Sequence, residues 1–445
     1  MRWLLTLLIA VIVISDIMSW PLSLAPGLSV KNAVLYMLLF ALFFRAALRG
    51  LGALELPALH AIFAVWVCYA IASWVVAAGV IKYANYGLIE NGITLKAELL
   101  DSVIFFLVAF HGLRTLKDVE TIFKALVVAV GVASLCTLLS VAGVLHLAIK
   151  VGTSGAEEGR VFGVFGHAND TAALMDCLIP VSVAVAMRSR GWQRLMWFGG
   201  ALASLAVLLA TVSRGGYVAA VIGSAGAVWL LRRQLPLQRV VMWSFVGAAA
   251  TLLAVVVAGL AMPHIGEVIQ SRLLVGGGGT GVDSGRAGVW MELINRMMEQ
   301  PITMLTGYGW DVYWVMPFRF ATHNWYLNLW FNLGIVGLGA FLSAMFIALV
   351  KAKSAAEAAS ADMQVYLQAF IFGMVMLLVA ICFTNLSGQW ALVWIYYGAA
   401  LRGAQIVLEE PASVPSPVGT PAPSWRRAHS GAFAPVVAGS RRGAL

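Results

Sequence analysis

Long apolar runs, each close to the length that a helix needs to cross a bilayer, follow one another along most of the chain. A spanning helix takes about 20 mostly apolar residues, and short polar segments separate these runs. The pattern therefore predicts an all-α polytopic membrane protein. Its twelve expected spans lie at residues 3–19, 31–48, 57–80, 97–113, 121–147, 170–187, 194–212, 215–231, 240–262, 323–350, 364–384 and 387–405.

The composition supports this class of protein and excludes others. Of the 445 residues, 61% are hydrophobic and 11% are charged, against roughly 45–50% and 25% in soluble domains. The four cysteines all fall in apolar runs and form no C-x-x-C, so neither a disulfide framework nor a zinc site is expected. No small-x-small cleavage site follows the first apolar run, so we expect it to be retained as a helix.

Lysine and arginine are unevenly divided between the two predicted sides of the membrane. If the N-terminus is cytoplasmic, fifteen of those before residue 408 lie in cytoplasmic segments and six lie in short loops of the opposite side. Cytoplasmic loops of membrane proteins carry the excess of positive charge, so we expect both termini inside. Basic residues at the ends of the membrane helices thereby account for the net charge of +9, and nucleic-acid binding is not expected.

Two segments lie outside the predicted spans. Residues 263–322 form the one large loop, on the outer side, and apolar residues at helical spacing from Arg286 onward predict an interfacial amphipathic helix within it. Residues 408–445 are rich in Pro, Ala, Ser and Gly, which predicts a disordered cytoplasmic tail. We therefore divide the chain into a membrane domain, residues 1–407, and this tail.

Four polar stretches are predicted to meet at the outer surface, although they are far apart in sequence. They are GRVFGVFGHANDTA at 159–172, TVSRGGYVAA at 211–220, VDSGRAGVWMELINRMMEQPITMLTGYGWD at 282–311 and THNWYLNLWFNLGIVGLGAF at 322–341.

Three arginines in these stretches are candidates for binding an anion. Arg214 follows Ser213, a plausible N-cap, and adds to the positive end of a helix dipole beside a Gly-Gly that permits close backbone approach. Arg286 falls in the first turn of the loop helix, and Arg160 lies in a glycine-bounded loop. Guanidinium groups suit bidentate contact with phosphate. The alternative for each is a snorkelling or solvated arginine.

His323 is the candidate general base. An imidazole titrates near pH 6.5 and can accept a proton at neutral pH. Thr322 is expected to cap the helix that follows, and Asn324 to orient a neighbouring group or contact the donor. The alternative for His323 is a structural histidine at a helix end. His167, in the first polar stretch, is a weaker candidate.

No metal or nucleotide site is predicted on the outer side. No D-x-D occurs, and VGGGGTG at 275–281 lacks the G-K-[ST] ending of a phosphate-binding loop, so we expect neither a metal nor a cofactor. Asp101 and Asp176 lie in or near spans, where an ionisable residue is a functional candidate by default. Packing against a hydroxyl or backbone group is their alternative.

Several arginines with one histidine favour transfer from a lipid-linked diphosphate. Neither ATP nor a nucleotide sugar is available outside the cytoplasm, so activated donors there are mainly lipid-linked. A diphosphate leaves well once its growing charge is neutralised, and the site then needs cations and one base for the acceptor hydroxyl. A glycosidase would instead use two carboxylates.

The same residues resemble motifs of the O-antigen ligase and polymerase superfamily. The motifs are S-R-G-G, the G-R-x-x-x-W before a G-Y-G, and H-N-x-Y-L-N-x-x-x-x-x-G-I-x-G-L. The resemblance covers about residues 155–345 as motifs and the whole chain as topology. It implies a GT-C-like membrane glycosyltransferase that moves a glycan from undecaprenyl diphosphate, with inversion, to an acceptor on the periplasmic face of the bacterial inner membrane.

The resemblance also implies roles for individual residues. Arg160, Arg214 and Arg286 would hold the diphosphate, and His323 would serve as the base. Relatives often have a Pro-Asn step where this chain has His-Ala-Asn at 167–169, which leaves the role of the histidine open.

Within the superfamily we expect the ligase activity, with lipid A–core as the acceptor, because a ligase must admit a membrane-bound acceptor from the side. The O-antigen polymerase is the first alternative, and a protein O-oligosaccharyltransferase is the second. A polysaccharide transporter would also have twelve spans, but it should show internal repeats and polar residues near the midplane. In this chain the polar stretches are predicted to lie at one face, which argues against a transporter. The sequence leaves the glycan and the acceptor sugar open.

Overall fold

The apolar runs fold as helices, because a helix satisfies the backbone hydrogen bonds of a segment within that segment, as a lipid environment requires. The computed structural model describes residues 1–18, 23–49, 56–147, 150–151, 159–261, 286–318, 321–385 and 390–409. Its α-helices are α1 Arg2–Met18, α2 Val30–Arg49, α3 Pro57–Val76, α4 Leu88–Leu95, α5 Asp101–Gly112, α6 Leu116–Val141, α7 Ala168–Arg188, α8 Gly191–Ala210, α9 Arg214–Val218, α10 Ser224–Leu230, α11 Leu237–Ala261, α12 Arg286–Glu299, α13 Ile302–Thr306, α14 Trp325–Ala358, α15 Ala361–Ala380 and α16 Trp390–Glu409.

Shorter elements extend or join these helices. Three π-helical turns continue α3 (Ala77–Ile81), join α4 to α5 (Lys96–Leu100) and join α9 to α10 (Ala219–Gly223), and Val312–Val315 is a 3-10 turn. Two small antiparallel pairs are present. Strand β1 (Ser23–Ala25) pairs with β2 (Leu28–Ser29), and β3 (Lys150–Val151) pairs with β4 (Val161–Gly163).

The chain is a multi-pass membrane protein. Within the described ranges, 9 helices are long and apolar enough to cross a membrane, and they coincide with nine of the twelve predicted spans. Helices also occupy the other three predicted positions: α1 has 17 residues, and the segments 88–112 and 214–230 are interrupted by π-helical turns. The count of twelve stays a prediction. So do the cytoplasmic tail and the domain boundary at 407, since residues beyond 409 lie outside the described part.

Burial separates central from peripheral helices. Helix α7 is buried along nearly its whole length and packs against α6, α8 and α15. Helix α16 is likewise buried, whereas α11 leaves most of its side chains exposed, as expected for a helix that faces lipid. Helix α7 therefore gives the residues at its N-terminus a rigid support.

Helix α14 is broken at Gly334, which has φ 60° and ψ −167°. The break leaves the carbonyl groups of Phe331 and Asn332 without helical partners, and the backbone N–H groups of Tyr308 and Gly309 donate to them at 2.8 and 3.0 Å. The G-Y-G motif is thereby docked onto the helix break. The first two turns of α14 are held as a separate short segment beside the loop.

The amphipathic helix predicted after Arg286 is confirmed as α12. Its residues Leu293 and Met297 are fully buried, against a cluster that includes Tyr308 and Phe331. Protein thus covers the apolar side of this helix. Its position at a membrane interface stays a prediction, and residues 262–285 of the large loop lie outside the described ranges.

Candidate active site

Three of the four polar stretches meet around a cavity of about 130 Å³, which we call the histidine cavity. The segment before α7, the loop after α13, the start of α14 and the chain after α15 form its wall. Its lining includes His167, Asp170, Asp311, His323, Asn328 and Thr384. The stretch 211–220 contributes no lining residue and packs beside this wall.

His323 lies in the left-handed region of backbone conformation, with φ 44°. Few residues other than glycine adopt it, and such strain persists where the surroundings hold it. Here the neighbours on both sides are fixed: Thr322 Oγ1 donates to Asn385 Oδ1 at 3.1 Å, and the Trp325 N–H donates to the Ile381 carbonyl at 2.9 Å. The histidine is therefore presented to the cavity by a constrained backbone.

His167 lies beside His323. The two rings stack with centroids 5.8 Å apart and an interplanar angle of 29°. Phe162 in turn stacks on His167 at 5.9 Å and 16°. The Nδ1 atom of His167 is buried and has no hydrogen-bond partner among the described residues. His167 is the weaker histidine candidate on sequence grounds, but the fold places it in the same cavity as the predicted base.

The helix that follows His323 is capped by Asn324, and the prediction that Thr322 caps it is wrong. The Asn324 side chain accepts from the Leu327 N–H at 3.1 Å, whereas the Thr322 hydroxyl is turned to Asn385. Asn324 is buried and engaged in this cap. Its predicted contact with the donor stays a prediction, and the cap is the role that the geometry gives it.

Two further asparagines continue from Asn324 at intervals of four residues. Positions four apart share one face of a helix, and Asn328 and Asn332 both line the histidine cavity. The Asn332 amide donates to Asn328 Oδ1 at 2.7 Å, and its own Oδ1 accepts from the Tyr313 N–H at 3.2 Å. The polar face of α14 thus connects the cavity to the loop after α13.

Arg160 is buried, with 4% of its surface exposed, and it binds protein atoms. Its Nε donates to the Thr211 carbonyl at 3.0 Å, and its Nη2 donates to Asn169 Oδ1 at 2.7 Å. The Ser213 hydroxyl donates to the same oxygen at 3.0 Å. Arg160 therefore ties the start of α7 to the turn before α9.

Arg214 is the first residue of α9, and Ser213 caps this helix as predicted, accepting from the Gly216 N–H at 3.2 Å. The Arg214 side chain is exposed, and it forms no hydrogen bond or ion pair with the described residues. The close approach expected at Gly215-Gly216 is made by protein: a Cβ at Gly215 would collide with Phe383, and one at Gly216 would come within 2.7 Å of Ala172.

Arg286 begins α12, one helical turn before Trp290. The Trp290 indole N–H donates to the Thr322 carbonyl at 2.8 Å, so the first turns of α12 are bonded to the residue that precedes His323. The backbone thus brings the position of Arg286 to the neighbourhood of the predicted base. The cap predicted for this helix lies outside the described ranges.

Three carboxyl groups also line the cavity, those of Glu98, Asp170 and Asp311. Asp170 accepts from the Thr384 hydroxyl, and Asp311 accepts from the Thr94 hydroxyl at 2.9 Å. Burial raises the pKa of Asp311 to about 6, against the lowering effect of the Thr94 hydrogen bond. The sequence singles out none of the three, because lone carboxylates in apolar or loop segments carry no recognisable spacing.

The two acidic candidates of the sequence lie elsewhere. Asp101 accepts hydrogen bonds from Asn32 and Tyr36 at 2.6 Å each and pairs with Lys96 at 2.8 Å. Asp176 is fully buried in α7, and its carboxyl oxygens have no hydrogen-bond partner in the described part of the chain. Neither lines the histidine cavity. Among the described residues no group of three or more His, Cys, Asp or Glu is arranged to hold a metal ion.

Comparison with known proteins gives one family. Residues 199–342 match a family model described as O-antigen ligase. The matched range begins in α8 and ends in α14, so it includes Arg214, Arg286, the G-Y-G loop and His323. A search of curated proteins finds no match.

Proposed function

We propose that this chain, which belongs to the O-antigen ligase family through its residues 199–342, transfers O-antigen polysaccharide from undecaprenyl diphosphate to lipid A–core. The transfer inverts the anomeric centre and belongs to lipopolysaccharide biosynthesis. Members of this family are enzymes that act on lipid-linked glycans. The finer identity of donor, acceptor and reaction is our proposal.

The observation that carries the proposal is the position of His323 in a cavity beside two helix starts that bear arginine. The matched range contributes the histidine and both arginines. A transfer from a diphosphate requires a histidine and fixed cations. The acceptor hydroxyl must lose its proton to a base, and the negative charge that builds up on the leaving diphosphate must be neutralised.

In the proposed step the acceptor hydroxyl attacks the anomeric carbon of the donor sugar. The new bond joins the acceptor oxygen to that carbon, and the bond from the carbon to the phosphate oxygen breaks. His323 takes the hydroxyl proton, and the bonding pair leaves with undecaprenyl diphosphate. Arg214 and Arg286 neutralise the departing charge, in the way that guanidinium groups bind phosphate oxygens.

Arg160 and Asn324 are assigned to positioning. Arg160 holds the turn from which Arg214 starts, through its bonds to Thr211 and Asn169. Asn324 directly follows the proposed base, and its side chain caps α14, which holds this point of the chain to the helix. We place this site on the periplasmic face of the bacterial inner membrane, with both termini cytoplasmic, because the excess of lysine and arginine falls in the segments of the other side.

The reaction is proposed to need neither a metal nor ATP, since fixed guanidinium groups supply the neutralising charge. Transfer by the purified enzyme should therefore continue in excess EDTA. A requirement for magnesium or manganese would contradict the assignment of the charge neutralisation to the arginines.

The lipopolysaccharide of a deletion strain tests the choice within the family. A ligase defect removes all long chains from lipid A–core and leaves polymer on the lipid carrier. A polymerase defect instead leaves a core that carries a single repeat. The second pattern would replace ligation by polymerisation as the activity of this site, and a normal lipopolysaccharide pattern would reject both.

A further inference from the structure

A second cavity, of about 330 Å³, lies beside the β1–β2 hairpin, and we call it the hairpin cavity. The hairpin turns at Gly27, whose φ of 72° suits glycine. The wall is completed by the start of α2, the π-helical turn 96–100 and the start of α16. Its charged lining residues are Lys31, Lys96, Glu98 and Asp101.

The hairpin cavity adjoins the histidine cavity. Glu98 lines both of them. Trp325 lines the histidine cavity and Trp390 lines the hairpin cavity, and their rings contact each other with centroids 5.2 Å apart. One carboxyl group and one pair of indoles therefore lie between the two spaces, so a ligand in the hairpin cavity would lie next to the cavity that contains His323.

Away from the histidine cavity, the hairpin cavity adjoins a surface groove of about 420 Å³, with which it shares Gly27, Leu28 and Lys96. The groove is bordered by Leu88 and Ile89, which are 51% and 72% exposed. In a membrane protein, exposed apolar side chains of this kind face lipid. The groove, the hairpin cavity and the histidine cavity thus lie in a row, which leads from an apolar rim to the cavity of the predicted base.

Two observations indicate a polar, anionic ligand in the hairpin cavity. Lys31 forms no hydrogen bond or close ion pair with the residues that the structure describes, although its charge interacts with that of Asp16, whereas Lys96 pairs with Asp101 at 2.8 Å. The indole N–H of Trp390, which lines the hairpin cavity, is buried and has no hydrogen-bond partner in the same ranges, and the indole N–H of Trp325, on the side of the histidine cavity, is in the same state. Buried donors normally have a partner, so these groups are suited to hydroxyl oxygens brought by a ligand.

We propose that the hairpin cavity is the acceptor subsite, and that it binds the phosphorylated saccharide of a membrane-anchored acceptor. The acyl chains of that acceptor lie at the apolar rim of the groove. Lys31 and Lys96 bind its phosphate, and its sugar lies against Trp390. The reacting hydroxyl reaches His323 past Glu98. This assignment rests on the proposed function.

The test compares Lys31→Ala with Lys82→Ala in the purified full-length protein. Lys82 is also predicted on the outer side, and it lines neither cavity nor the groove. With lipid A–core as the acceptor, Lys31→Ala should raise the acceptor KM roughly tenfold, the loss expected for one charge-assisted contact. The donor KM and kcat should stay unchanged, Lys31→Arg should restore the acceptor KM, and Lys82→Ala should behave as wild type.

A binding measurement separates this inference from the activity. Wild-type protein in phosphatidylcholine nanodiscs should bind lipid A–core more tightly than the same lipid freed of its phosphates, and Lys31→Ala should remove the difference.

If the wild type transfers glycan but Lys31→Ala leaves the acceptor KM and binding unchanged, the acceptor subsite is wrong while the function stands. If the wild type binds the acceptor in this way but transfers nothing to it, the function is wrong. Loss of acceptor binding in phosphatidylglycerol nanodiscs would assign the lysines to a lipid headgroup and overturn the inference.

Discussion

The imidazole rings of His167 and His323 stack at 5.8 Å, although the two residues come from different polar stretches of the chain. His167 precedes α7, the helix that is buried along nearly its whole length, whereas His323 precedes the short outer segment of α14. The contact therefore joins the strained backbone at His323 to the start of the buried helix α7. We propose that His323 transfers the proton and that the ring of His167 supports it.

Replacement of the predicted base should abolish most transfer without affecting the fold. General-base catalysis contributes about 10²–10⁴-fold, so His323→Ala should lower kcat by that factor in a transfer assay. Donor affinity, measured by binding to the purified protein, should stay close to that of wild type. His146→Ala is the matched control, because His146 is exposed and lines neither cavity. A variant that loses donor affinity as well would make His323 a ligand of the diphosphate.

The supporting ring should be replaceable by another aromatic ring. An aromatic contact contributes about 0.5–1.5 kcal/mol, so His167→Ala should lower kcat by roughly 2- to 10-fold by loosening His323. His167→Phe keeps the stack with Phe162 and His323 and should recover most of that loss. The measurement is kcat for both variants under donor saturation. If His167→Phe is as impaired as His167→Ala, the imidazole nitrogen of His167 takes part in the reaction.

Arg160 and Arg214 should differ in what their loss affects. Arg160→Ala removes at least two hydrogen bonds from a buried network and should cost about 2–3 kcal/mol of stability. This should appear as a Tm several degrees lower. Arg214→Lys keeps the charge of an exposed side chain but loses the planar fork, so transfer should fall by about one to two orders of magnitude at an unchanged Tm. Arg160→Ala with normal Tm and lost donor binding would restore Arg160 as a direct donor ligand.

The sequence predicted the helices and several residues of the site, but not their neighbours. Apolar length alone locates the membrane helices, and the spacing in H-N-x-Y-L-N and G-Y-G marks segments that do meet. The proximity of His167 to His323 depends on how α7 and α14 pack, and hydropathy carries no information about packing partners. Burial of Arg160 was missed for the same reason, because its partners Thr211 and Asn169 belong to other segments.

The break in α14 was also beyond the sequence pattern. The apolar run 323–350 is continuous in hydropathy, so it predicts one unbroken helix. The backbone N–H groups of Tyr308 and Gly309 make the break favourable, because they donate to the carbonyl groups that the helix leaves open. Such compensation is a long-range effect, although a glycine at the centre of a helix is a local sign that one exists.

Two glycines of α14 provide a test of that break. Gly334 has a positive φ, and a Cβ there would collide with the Leu305 carbonyl oxygen, so Gly334→Ala should destabilise the protein by roughly 2–4 kcal/mol. Gly339 is in the same helix, and a Cβ there would meet nothing within 4 Å, so Gly339→Ala should be neutral or stabilising by up to about 1 kcal/mol. Thermal unfolding of both purified variants measures the difference. Equal Tm values would mean that the helix tolerates a continuous path through Gly334.

The raised pKa of Asp311 predicts a pH-dependent stability. In the folded protein burial raises this pKa to about 6 from its ordinary value of 3.8, so the folded state holds the proton over a range in which the unfolded state has lost it. Stability should therefore fall as pH rises from about 4 to about 6, and it should level off above that. Asp311→Asn keeps an acceptor for the Thr94 hydroxyl and removes the ionisation, so its advantage over wild type should grow through this window. That advantage should reach on the order of 2 kcal/mol at pH 8.

The control is Glu299→Gln, which makes the same change of charge at an exposed position, and its stability should run parallel to that of wild type as pH changes. The measurement is Tm against pH for the three proteins, and an Asp311→Asn curve parallel to wild type would show that Asp311 is solvated like an ordinary carboxylate.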